Sequence, residues 1–113
     1  MPATGQLKLN PGRAGTPDEG YRSRFSHDTE VARPGYYEVE LADYGIKAQL
    51  TATQRVGIHK YTFPDNADGH IILDLIHGIY NYDGKTLWAN LRVENDTLLT
   101  GYRITNGWAR TNY

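Results

Sequence analysis

Residues 25–64 read FSHDTEVARPGYYEVELADYGIKAQLTATQRVGIHKYTFP, and this stretch decides the fold. A polar cluster opens it, a Pro34-Gly35 turn follows, and three strand-like runs come next. The first two runs alternate apolar and polar residues, which predicts strands with one packed face and one wet face. The apolar positions are Tyr37, Val39, Leu41, Ile46, Ala48 and Leu50. The turn Asp43-Tyr44-Gly45 between these runs predicts a hairpin.

The rest of the chain adds further strand signals. Gln6 to Leu9 alternates briefly, and residues 70–77 form an almost unbroken apolar run, typical of a central strand buried on both faces. Residues 87–94 and 98–105 flank a turn and predict a second hairpin. About seven short strands without helical periodicity predict an all-β fold, an antiparallel β-sandwich.

Composition restricts the classes of partner. The 113 residues make one domain or part of one. Twelve Lys and Arg against 13 Asp and Glu indicate neither a nucleic acid nor an anionic membrane surface, so we expect a neutral partner. The nine Tyr and two Trp can stack on sugars, although in an all-β chain most rings fill core and cross-strand positions. The sequence contains no cysteine, signal peptide or transmembrane run.

The polar cluster at the start of the decisive stretch is the first candidate site. His27 and Glu30 stand three residues apart beside Asp28, a spacing that brings two ligands or a hydrogen-bonded pair together on a turn. The alternative is that both side chains bond backbone groups at the entrance to the next strand.

The apolar run contains a second group of polar residues. Strand alternation would put His70 and Asp74 on one face and His77 on the other, which argues against a shared metal site. A carboxylate in a buried run needs backbone donors or a cation. We therefore expect Asp74 to be paired, with cations available at Arg55, Arg92 and Arg103.

Trp108 and Arg110 form the last candidate. They place a ring beside a guanidinium in a loop, which suits sugar stacking, and an anchor in the core is the alternative. Spacing offers no carboxylate pair for glycoside hydrolysis, and motifs for nucleotide, zinc or calcium loops are missing.

Two segments of the decisive stretch carry a family resemblance. They follow the patterns FSH-x-x-E-x-A-x-PGYY and LTAT-x-RVG-x-H-x-YTFP, here residues 25–37 and 50–64. The chain resembles the N-terminal β domain of glycoside hydrolase family 92, the calcium-dependent exo-acting α-mannosidases. The resemblance implies a galactose mutarotase-like supersandwich, of which residues 1–113 would be an incomplete part. In this family the general acid, the general base and the Ca²⁺ ligands lie mainly in a helical domain that follows, and a GFSH-x-H motif precedes the region matched here.

These implications define the expected function. The parent protein would be a secreted, periplasmic or cell-surface α-1,2-mannosidase that acts on mannose-containing glycans and requires Ca²⁺. The fragment, without the catalytic domain, would be inactive, would hold no metal and would contribute structure and part of the substrate cleft. His27, Glu30, Trp108 and Arg110 are its expected substrate-binding residues. A stand-alone carbohydrate-binding β-sandwich and a purely structural sandwich are the alternatives. Open sheet edges predict self-association of the fragment.

Overall fold

The computed structural model describes residues 1–13, 15–78 and 84–107. This part of the chain contains eight strands, and every strand pairing is antiparallel. The strands are β1 Pro2–Thr4, β2 Val31–Arg33, β3 Tyr36–Leu41, β4 Ile46–Ala52, β5 Gly57–Thr62, β6 Gly69–Ile71, β7 Thr86–Asn95 and β8 Leu98–Thr105. Two 3₁₀ turns, Pro17–Glu19 and His27–Thr29, complete the regular structure. The prediction of an all-β antiparallel fold is confirmed.

The chain divides into two compact units, residues 1–73 and 74–113. The first unit holds a four-stranded sheet in the order β2-β3-β4-β5 and the two-stranded pair β1-β6. The second unit holds the β7-β8 hairpin. No helix in the described ranges is long and apolar enough to cross a membrane.

The packed face of the four-stranded sheet follows the predicted alternation. Val39 on β3 pairs with Ala48 on β4, and Ile46 on β4 pairs with Leu41 in the next row of the same face. The side chains of Val39, Ala48 and Ile46 are buried, with Ile46 completely enclosed. The apolar face therefore closes around the middle of β3 and β4, where burial of aliphatic surface stabilises the sheet.

The opposite face of the same sheet is a polar network. Lys47 Nζ lies 2.7 Å from Glu38 Oε1, Tyr36 Oη donates to Glu38 Oε2, and Gln49 Nε2 donates to the same oxygen over 2.9 Å. Because the Lys47 ammonium and these donors favour the charged carboxylate, the pKa of Glu38 falls to about 2. The polar face predicted for β3 is thus an ordered network of side-chain hydrogen bonds.

The β3–β4 hairpin is fixed to the segment that precedes the 3₁₀ turn His27–Thr29. Asp43 Oδ2 accepts from the Arg24 backbone N–H over 2.6 Å, and Oδ1 accepts from Arg24 Nε over 2.7 Å. Gly45 has a φ of 60°, the left-handed conformation that this tight connection needs. These contacts hold the entrance of residues 25–30 against the sheet.

Two strand predictions are wrong. Residues 6–9 are not a strand, since the first strand is Pro2–Thr4. The run 70–77 is not a central buried strand either, because β6 ends at Ile71 and Leu73 and Ile76 are more than half exposed. Its partner β1 is only three residues long, and the pairing extends past Ile71 only through the two hydrogen bonds between Met1 and Ile72.

The second hairpin is confirmed and pairs β7 with β8 along nearly their full length. Irregularities interrupt the register between Thr86 and Trp88 and between Val93 and Asn95. Arg103 on β8 donates from Nη1 to the carbonyl oxygens of Leu75 and His77, over 3.3 and 3.2 Å. This side chain ties the hairpin to the segment that begins the second unit.

Candidate functional site

Ser26 builds the turn that carries the first candidate residues. Its Oγ accepts from the Asp28 N–H over 3.1 Å, and its carbonyl accepts from the Thr29 N–H over 3.1 Å. Capping of this kind satisfies the first free donors of a short helix. Because side chains three apart eclipse each other on a 3₁₀ turn, His27 and Glu30 emerge on the same side.

His27 and Glu30 form a hydrogen-bonded pair. His27 Nδ1 lies 2.5 Å from Glu30 Oε2, with the His27 side chain 85% exposed and the Glu30 side chain 23% exposed. An ionised carboxylate only accepts hydrogen bonds, so we assign the shared proton to Nδ1 of the imidazole. Of the two sequence-based alternatives, the side-chain pair forms, and Ser26 supplies the backbone capping.

Tyr37 completes the cluster from β3. Its phenol donates to Glu30 Oε1 over 2.5 Å, so both carboxylate oxygens of Glu30 are engaged. The β2-β3 register, which pairs Ala32 with Tyr37, brings the phenol back to the residue before β2. We call His27, Glu30 and Tyr37 the carboxylate cluster.

The electrostatics of the carboxylate cluster favour a charged Glu30. The hydrogen bond from Tyr37, followed by that from His27, lowers the pKa of Glu30 below its ordinary value. The same contact raises the pKa of Tyr37, since a phenolate would face a carboxylate. A general acid needs a raised pKa, so Glu30 is suited to accept hydrogen bonds and not to protonate a leaving group.

A shallow depression lies beside Tyr37, on the face of the sheet that carries the Tyr37 ring. Tyr37, Leu50 and His59 form one row across β3, β4 and β5. His59 Nδ1 lies 2.7 Å from Tyr61 Oη, with the two rings edge to face. The depression has a volume of about 410 Å³, and its lining includes Ala32, Arg33, Gly35, Leu50, Ala52, Gly57 and His59. A small apolar floor with polar groups at its edge is the usual character of a ligand site.

The remaining predicted residues are placed differently. Trp108 and Arg110 lie outside the described residues. Asp74 is not in a sheet: its Oδ1 accepts from the backbone N–H groups of Ile76 and His77, each over 2.8 Å. The expectation of a backbone donor for Asp74 is confirmed, and the expectation of its burial in a strand is wrong. Within residues 1–13, 15–78 and 84–107, no three His, Asp or Glu side chains are grouped so as to hold a metal ion.

Sequence reasoning missed Tyr37 as a member of the site. The available signal was the Pro34-Gly35 turn, because a hairpin centred there pairs residue 32 with residue 37 and returns the phenol toward Glu30. His59 and Tyr61 were missed in the same way, since their role depends on the β4-β5 register.

Comparison with known proteins defines the class. The family model for the glycosyl hydrolase family 92 N-terminal domain matches residues 1–113. The chain therefore belongs to this family, and its fold is the all-β sandwich of that N-terminal domain.

The solved structures give a more specific likeness. The chain is similar to a family 92 α-mannosidase from Bacteroides thetaiotaomicron, solved in complex with mannoimidazole, and to a second structure of the same enzyme. In both cases the identity is 42% and the TM-score 0.72, over 95% of this chain and 14% of the enzyme chain. The chain thus spans about one-seventh of the length of this enzyme. A search of the curated proteins gives no match.

Proposed function

We propose that residues 1–113 serve as part of the N-terminal β domain of an exo-acting α-mannosidase that trims mannose from glycans. The family match over the whole chain carries this proposal. The solved relative, an α-mannosidase bound to mannoimidazole, supports mannose as the sugar. An α-1,2 linkage preference, a Ca²⁺ requirement and a secreted, periplasmic or cell-surface location belong to the proposal for the whole enzyme.

The carboxylate cluster is our proposed contribution to the substrate cleft. Glu30 is charged and is oriented by Tyr37 and His27, and Tyr37 also lines the depression on the sheet. A carboxylate and an exposed imidazole can accept and donate hydrogen bonds to sugar hydroxyls. The cluster would bind and orient substrate, with acid and base supplied by another part of the enzyme.

Calcium has no place in the role proposed for this chain. The described residues do not provide a group of three acidic or histidine side chains that fits a cation. Ca²⁺ sites in proteins use six to eight oxygen ligands. No step assigned to the carboxylate cluster passes through the ion.

The test uses the longest polypeptide that carries this chain, assayed on α-1,2-, α-1,3- and α-1,6-linked mannobiose with and without a calcium chelator. We expect hydrolysis that prefers the α-1,2 linkage and requires Ca²⁺. His27→Ala and Glu30→Gln should raise KM more than they lower kcat, because lost ground-state contacts weaken binding. Asp28→Asn, in the same turn, is the matched control. Mannan binding without any hydrolysis would instead support the stand-alone carbohydrate-binding module.

A further inference from the structure

The two faces of the β7-β8 hairpin differ in chemistry. The register is regular from the Trp88–Ile104 pair to the Val93–Leu99 pair, so side chains alternate strictly between the faces. One side, which we call the aromatic face, carries Trp88, Asn90, Arg92, Thr100, Tyr102 and Ile104. The other, which we call the aliphatic face, carries Ala89, Leu91, Val93, Leu99, Gly101 and Arg103.

Arg103 shows which face turns toward the rest of the second unit. Its guanidinium donates to the carbonyl oxygens of Leu75 and His77. The aliphatic face therefore looks toward the segment that starts this unit, and its side chains are suited to packing against protein. The aromatic face lies on the opposite side of the hairpin.

The two rings of the aromatic face are open to solvent. Trp88 is 57% exposed and Tyr102 is 58% exposed. Tyr102 is directly opposite Asn90, which places Trp88 and Tyr102 on a cross-strand diagonal. Side chains on such a diagonal stand about 7 to 8 Å apart, a separation that lets one oligosaccharide contact both rings. Exposed aromatic surface of this kind commonly marks a binding site.

The charged groups beside the rings are paired with each other, so their charges cancel. Arg92 Nε lies 3.3 Å from Glu94 Oε2, and Thr100 Oγ1 donates to Glu94 Oε1 over 2.7 Å. Binding of nucleic acid or anionic lipid requires cations that are available to phosphate. Here the guanidinium already faces a carboxylate, so the charge pattern complements an uncharged ligand. The amide of Asn90 offers both a donor and an acceptor to hydroxyl groups.

We propose that the aromatic face binds a neutral mannose oligosaccharide, as a non-catalytic sugar-binding surface in the second unit. Trp88 and Tyr102 stack on the apolar faces of the sugar rings, and Asn90 bonds their hydroxyls. Only the choice of mannose as the sugar rests on the proposed function. The surface itself rests on the register, the exposure of the rings and the paired charges.

The first experiment makes Trp88 the only fluorescent reporter. The chain has two tryptophans, so Trp108→Phe leaves Trp88 alone. Titration with soluble α-mannan should change its fluorescence to saturation and protect it from acrylamide quenching. An unchanged signal would overturn the proposal. So would a Trp88 that acrylamide cannot reach before sugar is added, because another protein surface, including a second copy of the chain, would then cover the face.

The second experiment separates the rings from the fold. Trp88→Ala and Tyr102→Ala should each weaken mannan binding in affinity electrophoresis by about tenfold or more, since each removes a stacking surface. Trp88→Phe keeps a ring and should retain most of the binding, and Leu91→Ala, on the aliphatic face, is the matched control. Circular dichroism confirms that each variant is folded. Equal binding by the alanine variants would contradict the proposal.

A third measurement distinguishes this surface from the proposed enzyme function. In the longer polypeptide, Trp88→Ala should leave the hydrolysis of a small aryl α-mannoside unchanged while reducing retention on mannan. If the longer polypeptide showed no hydrolysis but its retention on mannan still depended on Trp88, the enzyme proposal would be wrong. The proposal of a sugar-binding surface would then be supported independently. Tighter binding of heparin than of mannan would contradict the neutral ligand.

Discussion

The phenol of Tyr37 on β3 donates a hydrogen bond over 2.5 Å to Oε1 of Glu30, which lies between the 3₁₀ turn and β2. His27 binds the other carboxylate oxygen, so Glu30 is held from two directions. A carboxylate held in this way keeps its charge and its orientation, which are the properties needed to position a sugar hydroxyl. The relationship gives Tyr37 a positioning role.

Tyr37→Phe removes the first cause of the lowered pKa of Glu30. We expect the pKa of Glu30 to rise toward its ordinary value in the variant, because an oxygen that accepted a hydrogen bond loses it. A carbon-detected NMR titration of the Glu30 carboxyl measures the shift. Tyr36→Phe is the matched control, since Tyr36 bonds Glu38 and should leave the Glu30 titration unchanged.

The polar network around Glu38 predicts that the stability of the chain depends on pH. The pKa of Glu38 is about 2 in the folded chain against an ordinary value of 4.5, and Lys47 is the largest cause. The stabilisation is therefore fully present above the ordinary pKa and is lost as pH falls toward 2. Lys47→Met should raise the pKa of Glu38 and flatten the stability profile below pH 4.5 in urea melts. A profile identical to that of the wild type would show that the Lys47 contact contributes nothing.

The sequence predicted the β3-β4 hairpin because the alternation of side chains on both strands is strict and a turn separates them, but it did not indicate the edge strand β2. It failed for the run 70–77, where aliphatic residues suggested a buried strand. A strand needs a partner as well as a pattern, and β1 pairs with only two residues of this run, His70 and Ile71. Ile71 is 64% exposed, which no local pattern could indicate.

The candidate site, too, could be predicted only in part. Spacing along one turn predicted that His27 and Glu30 could meet, because local geometry fixes side chains three apart. The contribution of Tyr37 depends on the register of a hairpin, and that of Trp88 and Tyr102 depends on the register of another. A one-residue slip moves every side chain of a strand to the other face, so these groupings require the structure.

Asp74 should act as a turn cap. Asp74→Ala removes an acceptor shared by two backbone N–H groups and should destabilise the second unit by about 1 kcal/mol. Asp74→Asn keeps an acceptor oxygen at the same position and should cost less. Urea melts of both variants measure the difference. A loss of about 3 kcal/mol or more in Asp74→Ala would point to a buried ion pair instead.

The chain by itself should not hydrolyse α-mannosides. The pKa of Glu30 is lowered, which is opposite to the requirement for a general acid, and the role proposed for the carboxylate cluster is binding. We expect no turnover of an aryl α-mannoside above a denatured control, with or without Ca²⁺. Turnover that disappears in Glu30→Gln would place catalysis within these residues and would refute the division of roles proposed here.

The aliphatic face of the β7-β8 hairpin should drive self-association of the isolated chain. Val93 is 70% exposed, and Leu91 and Leu99 are about half exposed on the same face. Burial of such surface between two copies lowers the free energy by roughly 25 cal/mol for each Å² removed from water. Light scattering should therefore show dimers or larger assemblies that grow with concentration.

Leu91→Arg should reduce the association by placing a charge in the contact, while Trp88→Arg, on the aromatic face, should leave it unchanged. A strictly monomeric wild-type chain at millimolar concentration would show that this face is already covered, and would favour the stand-alone binding module over the domain fragment.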